Sequence, residues 1–376
     1  MKSLITGGRV WNRGRSFLEG CPILIENETV IALGDGCLAY VADRTVDASG
    51  LTVLPGLVDV HTHGRSGYDF CDATEEQMRL MRADYARHGV TAVFATLASD
   101  TKDAWLRAIR FIEACGFDGI HLEGRYLNPA KRGAHAEALL CPLDADDLGE
   151  VLASVHIPCH VSAALELDTD GSFARRALEM GATLGLGHTC ATAEEARIAL
   201  SRGATSFTHL FNAMPPLHHR EGGAVSVALN GDGFGEIIAD GIHICPNVVR
   251  LAYRCLGIER MVLITDSMAG TGCADGNYSI AGMPVVLKNG RALTTDGALA
   301  GSTLNLWDGV KNLMAFAGIG LQDAIACATL NPARMVGISD TVGSIEVGKR
   351  ADLLFADSDL NLCRVCARGR FLDEEG

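Results

Sequence analysis

The chain has 376 residues, a formal net charge of −14, 48% hydrophobic residues and only 6% aromatic ones. An acidic chain lacks the broad basic face that nucleic acid or an anionic membrane requires, so any anionic ligand must find a local basic pocket. The length accommodates one (β/α)8 barrel of about 250 residues plus an accessory domain, with a core of Ala, Val, Leu and Ile such as fills parallel-strand interiors.

From Met1 to Thr52, short β-rich runs (Ser3 to Ile5, Pro22 to Glu26, Val30 to Leu33) alternate with Gly-rich turns. The far end resembles them, since Gly343 to Phe355 reads as turn, strand, turn, strand. Both termini are therefore expected to build one small accessory β-sandwich, residues 1–52 plus 340–376. Residues 53–339 would form the barrel inserted between them. Eight apolar runs separated by helix-like stretches predict a parallel α/β barrel: Leu57 to His61, Val90 to Thr96, Gly119 to Glu123, Ile157 to Ala163, Ala182 to His188, Thr205 to His209, Glu236 to Asp240 and Met261 to Asp266. Helices are expected over Thr74 to His88 and Thr192 to Arg202, each stopped by a glycine, Gly89 and Gly203. Lys288-Asn289-Gly290 marks a β-hairpin insertion over 278–293. Leu304 to Gly318 and Leu321 to Val336 read as closing helices. No run is suited to span a membrane.

The 13 cysteines are odd in number and scattered, and the start Met1-Lys2-Ser3-Leu4-Ile5-Thr6-Gly7-Gly8 lacks a signal-peptide apolar core. Reduced thiols and a cytoplasmic location are expected. Cys363 and Cys366 form a lone C-x-x-C without a partner pair, which reads as structural rather than as a zinc knuckle.

Barrel enzymes carry their chemistry at the C-terminal ends of the strands. Strand one ends with His61 and His63, two residues apart and so on one side of the strand. Glu123 ends strand three, His188 strand five, His209 strand six and Asp266 strand eight. Each alone has a plain structural reading, a capped histidine or a carboxylate opening a helix. Six metal-type ligands at the ends of five strands are hard to attribute to chance. Imidazole and carboxylate without thiolate suit a divalent metal, one or two per subunit, zinc foremost with iron, manganese or cobalt as alternatives. Such an ion generates a nucleophile at neutral pH, and Asp266 is placed to move the proton. The expected chemistry is hydrolysis.

Pro55-Gly56-Leu57-Val58-Asp59-Val60-His61-Thr62-His63-Gly64 resembles the opening signature of the amidohydrolase superfamily. More narrowly, His121-Leu122-Glu123-Gly124, Lys131-Arg132-Gly133-Ala134-His135, Leu186-Gly187-His188-Thr189, Thr208 to Met214, Leu217 to Glu221, Asp240-Gly241-Ile242-His243, Thr265-Asp266-Ser267-Met268 and Leu299-Ala300-Gly301-Ser302 resemble the N-acetylglucosamine-6-phosphate deacetylase family, in order along nearly the whole chain. The resemblance implies that Glu123, His188 and His209 hold the metal common to the family, that His61 and His63 add a second position, and that Asp266 is the catalytic acid and base. It implies that His135 polarises the acetyl carbonyl. Asn212, Ala213, Arg220 and His243 would bind the sugar phosphate, with Ala134, the Asp240-Gly241-Ile242 segment and the Leu299-Ala300-Gly301 loop as further substrate contacts. A homodimer is implied as well, some phosphate contacts in the family coming from a neighbouring subunit. The implied activity is release of acetate from N-acetyl-D-glucosamine 6-phosphate; the galactosamine epimer is the alternative. One departure is Gly124-Arg125-Tyr126, where the family commonly has Gly-Pro and an aromatic.

Three rivals share the barrel. Amidohydrolases acting on cyclic amides bridge two metals with a carboxylated lysine ending strand four; the run Ile157 to Ala163 has no lysine, so Glu123 must be the bridge. A nucleobase deaminase would keep the metal ligands but not need Arg220 or the tandem His218 and His219. A non-catalytic barrel would be expected to have lost ligands, and all six are present.

Overall fold

The computed structural model describes residues 1–231 and 233–372. Eight parallel strands form one sheet in sequential order: Leu57–Thr62, Val90–Leu97, Gly119–Glu123, Cys159–Ala163, Thr183–Leu186, Ala204–Phe207, Phe234–Ile238 and Met261–Ile264. The sheet closes on itself just past the ends of its first and last strands. Thr62 bridges Ser267 in parallel, His63 N donates to Ser267 O (2.7 Å) and Asp266 N to His61 O (2.8 Å). The (β/α)8 barrel read from the spacing is present.

Two of its helices show why the sequence starts them where it does. Glu75–Arg87 and Ala193–Ser201 each open with a capping box, Thr74 with Gln77 and Thr192 with Glu195, which satisfies orphan N–H groups of the first turn. Both stop at the glycines expected, Gly89 and Gly203, each at positive φ. The apolar faces of strands and helices merge into one large core that includes Leu57, Phe94's neighbours Val93 and Ala95, and Val365.

The accessory layers are a four-stranded and a six-stranded sheet enclosing a second core that includes Ile5, Ile23, Val53, Leu353 and Phe355. The strand Thr52–Pro55 lies inside the six-stranded sheet, parallel to Arg9–Asn12 and antiparallel to Leu353–Ala356. Gly56 N donates to Asp352 O (2.9 Å), and the chain passes straight into the first barrel strand.

Several expectations are corrected. Leu321 to Val336 is two helices, Leu321–Cys327 and Leu330–Met335. Pro332 cannot donate inside one long helix, and the break puts it in a first turn, where no N–H is needed. Ile345 to Val347 forms no strand; instead the chain docks one turn later, Val30 N donating to Lys349 O (2.9 Å). The single hairpin is a three-stranded antiparallel sheet, Gly276–Ile280, Met283–Lys288 and Arg291–Thr294. Leu362–Ala367 is a strand that was not anticipated; it turns Cys366 inward and leaves Cys363 exposed, because residues three apart face opposite ways. All 13 cysteines are free thiols, and no helix among the described residues is long and apolar enough to cross a membrane.

Candidate active site

Strands five, six and eight end at Leu186, Phe207 and Ile264, two residues before the ligand each was expected to carry. At the ligands the backbone enters the left-handed region: φ is +46° at His188, +31° at His209 and +49° at Asp266. Non-glycine residues occupy this region at a cost of about 1–3 kcal/mol each, and only where the surroundings enforce it. The flip aims each side chain at the barrel axis. Gly124, at φ +148°, lets the chain leave Glu123: a Cβ there would lie 2.7 Å from Ser99 Cα.

The side chains converge on the Glu123 carboxylate. Its Oε1 is 3.1 Å from His188 Nε2 and 3.0 Å from His209 Nε2, and its Oε2 is 2.9 Å from His63 Nε2 and 3.3 Å from His61 Nε2. One carboxylate thus faces a separate imidazole pair with each oxygen. Asp266 Oδ1 closes the second pair, 3.3 Å from His63 Nε2 and 3.6 Å from His61 Nε2. All are buried.

The hydrogen bonds test whether these residues fit a divalent cation. His188 Nδ1 lies 2.7 Å from Lys131 O, so Nδ1 carries the proton and, in the neutral ring, Nε2 presents a lone pair. That lone pair meets an anionic oxygen and, 3.0 Å away, His209 Nε2. His61 Nδ1 lies 3.2 Å from Glu236 Oε2, while its Nε2 is buried with no hydrogen bond. Nitrogen lone pairs and carboxylate oxygens packed together call for positive charge at their centre. Charge balance agrees. Burial pulls the His63 pKa down, but Asp266 and Glu123 outweigh it and raise it to about 9; burial pushes Asp266 up, but His61 and His63 hold it at about 2. The residues fit a divalent metal at each pair, with Glu123 between them.

His135 sits beside this centre, Nε2 3.9 Å from Glu123 Oε2. Ser99 N donates to its Nδ1 (3.1 Å), which leaves the neutral ring with its proton on Nε2, facing the site. Burial, helped by His188, lowers its pKa to about 3, so it is a donor by tautomer rather than by charge.

The ligands open into a cavity of about 350 Å³. Of the expected substrate residues, Ala134, Asn212, Ala213, His243 and the Leu299-Ala300-Gly301 loop line it. Asp240, Gly241 and Ile242 do not. Asp240 instead turns back, accepting from Ile242 N and His243 N (2.8 Å each) and lying 2.7 Å from His243 Nδ1, which fixes that imidazole. Arg220 is exposed, its Nη1 2.9 Å from His219 Nε2, and is not part of the wall. Arg125 points away, onto the Trp105 ring and Asp147 (3.1 Å).

The sequence reading missed three contributors. Lys131 lines the cavity and supplies a cation there. Ile280, from the three-stranded insertion, covers it. Glu236, fully buried in strand seven, supports His61 from below. The only signal for Glu236 was its own position, a carboxylate inside an apolar run.

A closed barrel with imidazoles and carboxylates gathered at its C-terminal mouth, able to hold a divalent metal, is the arrangement of a barrel hydrolase. A family model described as "Amidohydrolase family" matches residues 52–370. An N-acetylglucosamine-6-phosphate deacetylase of Vibrio furnissii is 34% identical over 360 residues, 92% of this chain and 89% of that protein. An N-acetylgalactosamine-6-phosphate deacetylase of Escherichia coli O157:H7 is 33% identical, covering 90% and 93%. The Mycobacterium smegmatis N-acetyl-D-glucosamine-6-phosphate deacetylase, solved as a point mutant in complex with N-acetyl-D-glucosamine-6-phosphate, superposes with a TM-score of 0.90 at 34% identity, covering 98% and 99%. The chain belongs to the N-acetylglucosamine-6-phosphate deacetylase family of the amidohydrolases.

Proposed function

We infer that this chain hydrolyses the acetamide of an N-acetylhexosamine 6-phosphate, N-acetyl-D-glucosamine 6-phosphate foremost, giving acetate and the amino sugar phosphate in amino-sugar catabolism. The observation that carries the reading is the Glu123 carboxylate facing one imidazole pair with each oxygen, at the floor of a cavity that also presents His135, Lys131 and His243.

A divalent metal, zinc foremost and one or two per subunit, would be held by Glu123, His188 and His209 and by His61 and His63, and would supply Lewis acidity and a nucleophile at neutral pH. Asp266, ionised and beside the site, takes the proton of the attacking water and passes it to the amine nitrogen as the C–N bond breaks. The Nε2–H of His135 hydrogen-bonds to the acetyl oxygen and stabilises the negative charge that develops there, keeping its own proton. Lys131 and His243 are the cations available to the phosphate within one subunit. Arg220 has no place in that wall, and its role in phosphate binding rests on a homodimer that brings it to a neighbouring cavity. The division into an accessory domain (1–52, 340–376) and a catalytic barrel (53–339), and a reducing cytoplasmic location that suits 13 free thiols, belong to the same reading.

The galactosamine epimer is the second reading, favoured by the 33% identity to the E. coli O157:H7 protein. Acetate release measured across the gluco, galacto and manno N-acetylhexosamine 6-phosphates, with metal content determined on the same sample, tests both. Fastest turnover of the gluco epimer supports the first reading; no acetate from any of them refutes both.

A further inference from the structure

Buried polar atoms without a hydrogen-bond partner fall, among the described residues, at the metal centre (His61, His63, His209, Glu236), on Arg125, and in one other place, where Thr91 Oγ1 and Arg368 Nε lie. That place is a cavity of about 430 Å³ at the opposite end of the barrel. Its walls are the helix Glu75–Arg87, which contributes Arg79 and Arg82, the start of strand two with Thr91, and the last accessory strands with Arg368 and Arg370. Thr91 and Ser99, the residue that holds His135, are separated by about 25 Å of strand.

We propose that this cavity binds a small phosphorylated anion. Two of the carboxylates nearby are already engaged: Asp118 pairs with both Arg350 and Arg368, and Asp352 with Arg350 (2.6 Å). Arg79 is paired with Glu75 (2.8 Å). Among the described residues, Arg82 and Arg370 have no carboxylate partner, and Glu28 on the exposed rim makes no ion pair. Arg82 has its pKa lowered by burial and by the crowding of Arg368 and Arg350, which outweigh the opposite pull of Asp118 and Asp352. Four arginines against two carboxylates, Glu28 and Asp118, on the lining of a partly buried concavity, in a chain of net charge −14, point to an anionic occupant. Guanidinium forks match phosphate geometry. A phosphate's three acceptor oxygens suit donors carried on separate walls, Arg82 on the helix and Arg368 and Arg370 on the accessory strands, where a carboxylate has only two. The volume suits a metabolite rather than a bare ion. Because the walls come from the barrel and from the accessory strands, binding ties the two together.

The test is calorimetric titration of inorganic phosphate into the metal-loaded protein and into an Arg82→Ala/Arg370→Ala variant, at constant ionic strength. The wild type should show a class of phosphate sites separate from the active site, weakened at least tenfold in the variant while deacetylase kcat is unchanged. Phosphate should also raise the wild-type melting temperature more than the variant's. Identical isotherms for wild type and variant overturn the proposal, as does a phosphate effect that sodium chloride reproduces at equal ionic strength.

Discussion

Glu236 is fully buried, and its Oε2 lies 3.2 Å from His61 Nδ1. That contact fixes the imidazole so that the Nδ1 proton faces the carboxylate and Nε2 faces Glu123. Replacing Glu236 with Gln keeps the volume and an acceptor oxygen but removes the charge; replacing it with Leu removes the acceptor too. Loss of an outer carboxylate partner costs roughly 10- to 100-fold in metal affinity, or about 1.4–2.8 kcal/mol. The loss should fall on the ion held by His61 and His63. His188 is oriented separately by Lys131 O, and Glu236 reaches the other pair only through the backbone N of His209 (3.3 Å). Elemental analysis after dialysis, with a calorimetric metal titration, should find one ion tight and one weakened in Glu236→Gln, more so in Glu236→Leu, with the folded state verified by circular dichroism. Two ions at wild-type affinity in both folded variants would refute the orienting role. Loss of both ions together would refute the separation into two positions.

Asp266→Asn should lower kcat by about 10²–10⁴-fold while metal content is kept; elemental analysis beside steady-state kinetics checks it, and a substantial residual kcat removes Asp266 from the proton-transfer role. His135→Ala should lower kcat by about 10²–10³-fold with a smaller effect on KM. Substrate affinity should depend on pH through His243. Burial lowers its pKa, but Asp240 outweighs this and raises it, so the ring stays protonated above the usual 6.5 and its attraction for phosphate is complete below that value and lost as pH rises through the folded pKa. KM for the phosphorylated sugar should therefore climb on the alkaline side, and Asp240→Asn should move the climb to lower pH. Gly124→Ala should destabilise by about 2 kcal/mol or more, since φ is +148° and the added Cβ meets Ser99; thermal denaturation reads it.

The barrel was legible because its strands are apolar runs punctuated by caps and glycines, and the imidazoles and carboxylates that converge on Glu123 because they follow those runs directly. What the pattern could not convey is where a strand yields to a strained turn. Leu186, Phe207 and Ile264 end strands that the apolar character alone extends to His188, His209 and Asp266, because the left-handed φ at each ligand is imposed by tertiary packing. Lys131 and Ile280 were hidden for a related reason: each enters the cavity from a loop or an inserted sheet, and no periodicity links them to the strand ends. Arg220 shows the converse limit. A motif placed it at the substrate, and within one subunit the fold leaves it in solvent.

The ribbon 52–62 also has a kinetic meaning. Residues Thr52–Pro55 are held between Arg9–Asn12 and Leu353–Ala356, and six residues after Pro55 comes His61. The neighbour Leu353–Ala356 is some 300 residues downstream, so the strand that carries His61 and leads into His63 gains its far-side support only when nearly the whole chain has been made. Contacts of such long range form late and slowly. The second half of the metal centre should thus be the last part of the molecule to mature, and a ribosome-bound chain shortened before Leu353 should complete the Glu123, His188 and His209 cluster before it fixes His61 and His63.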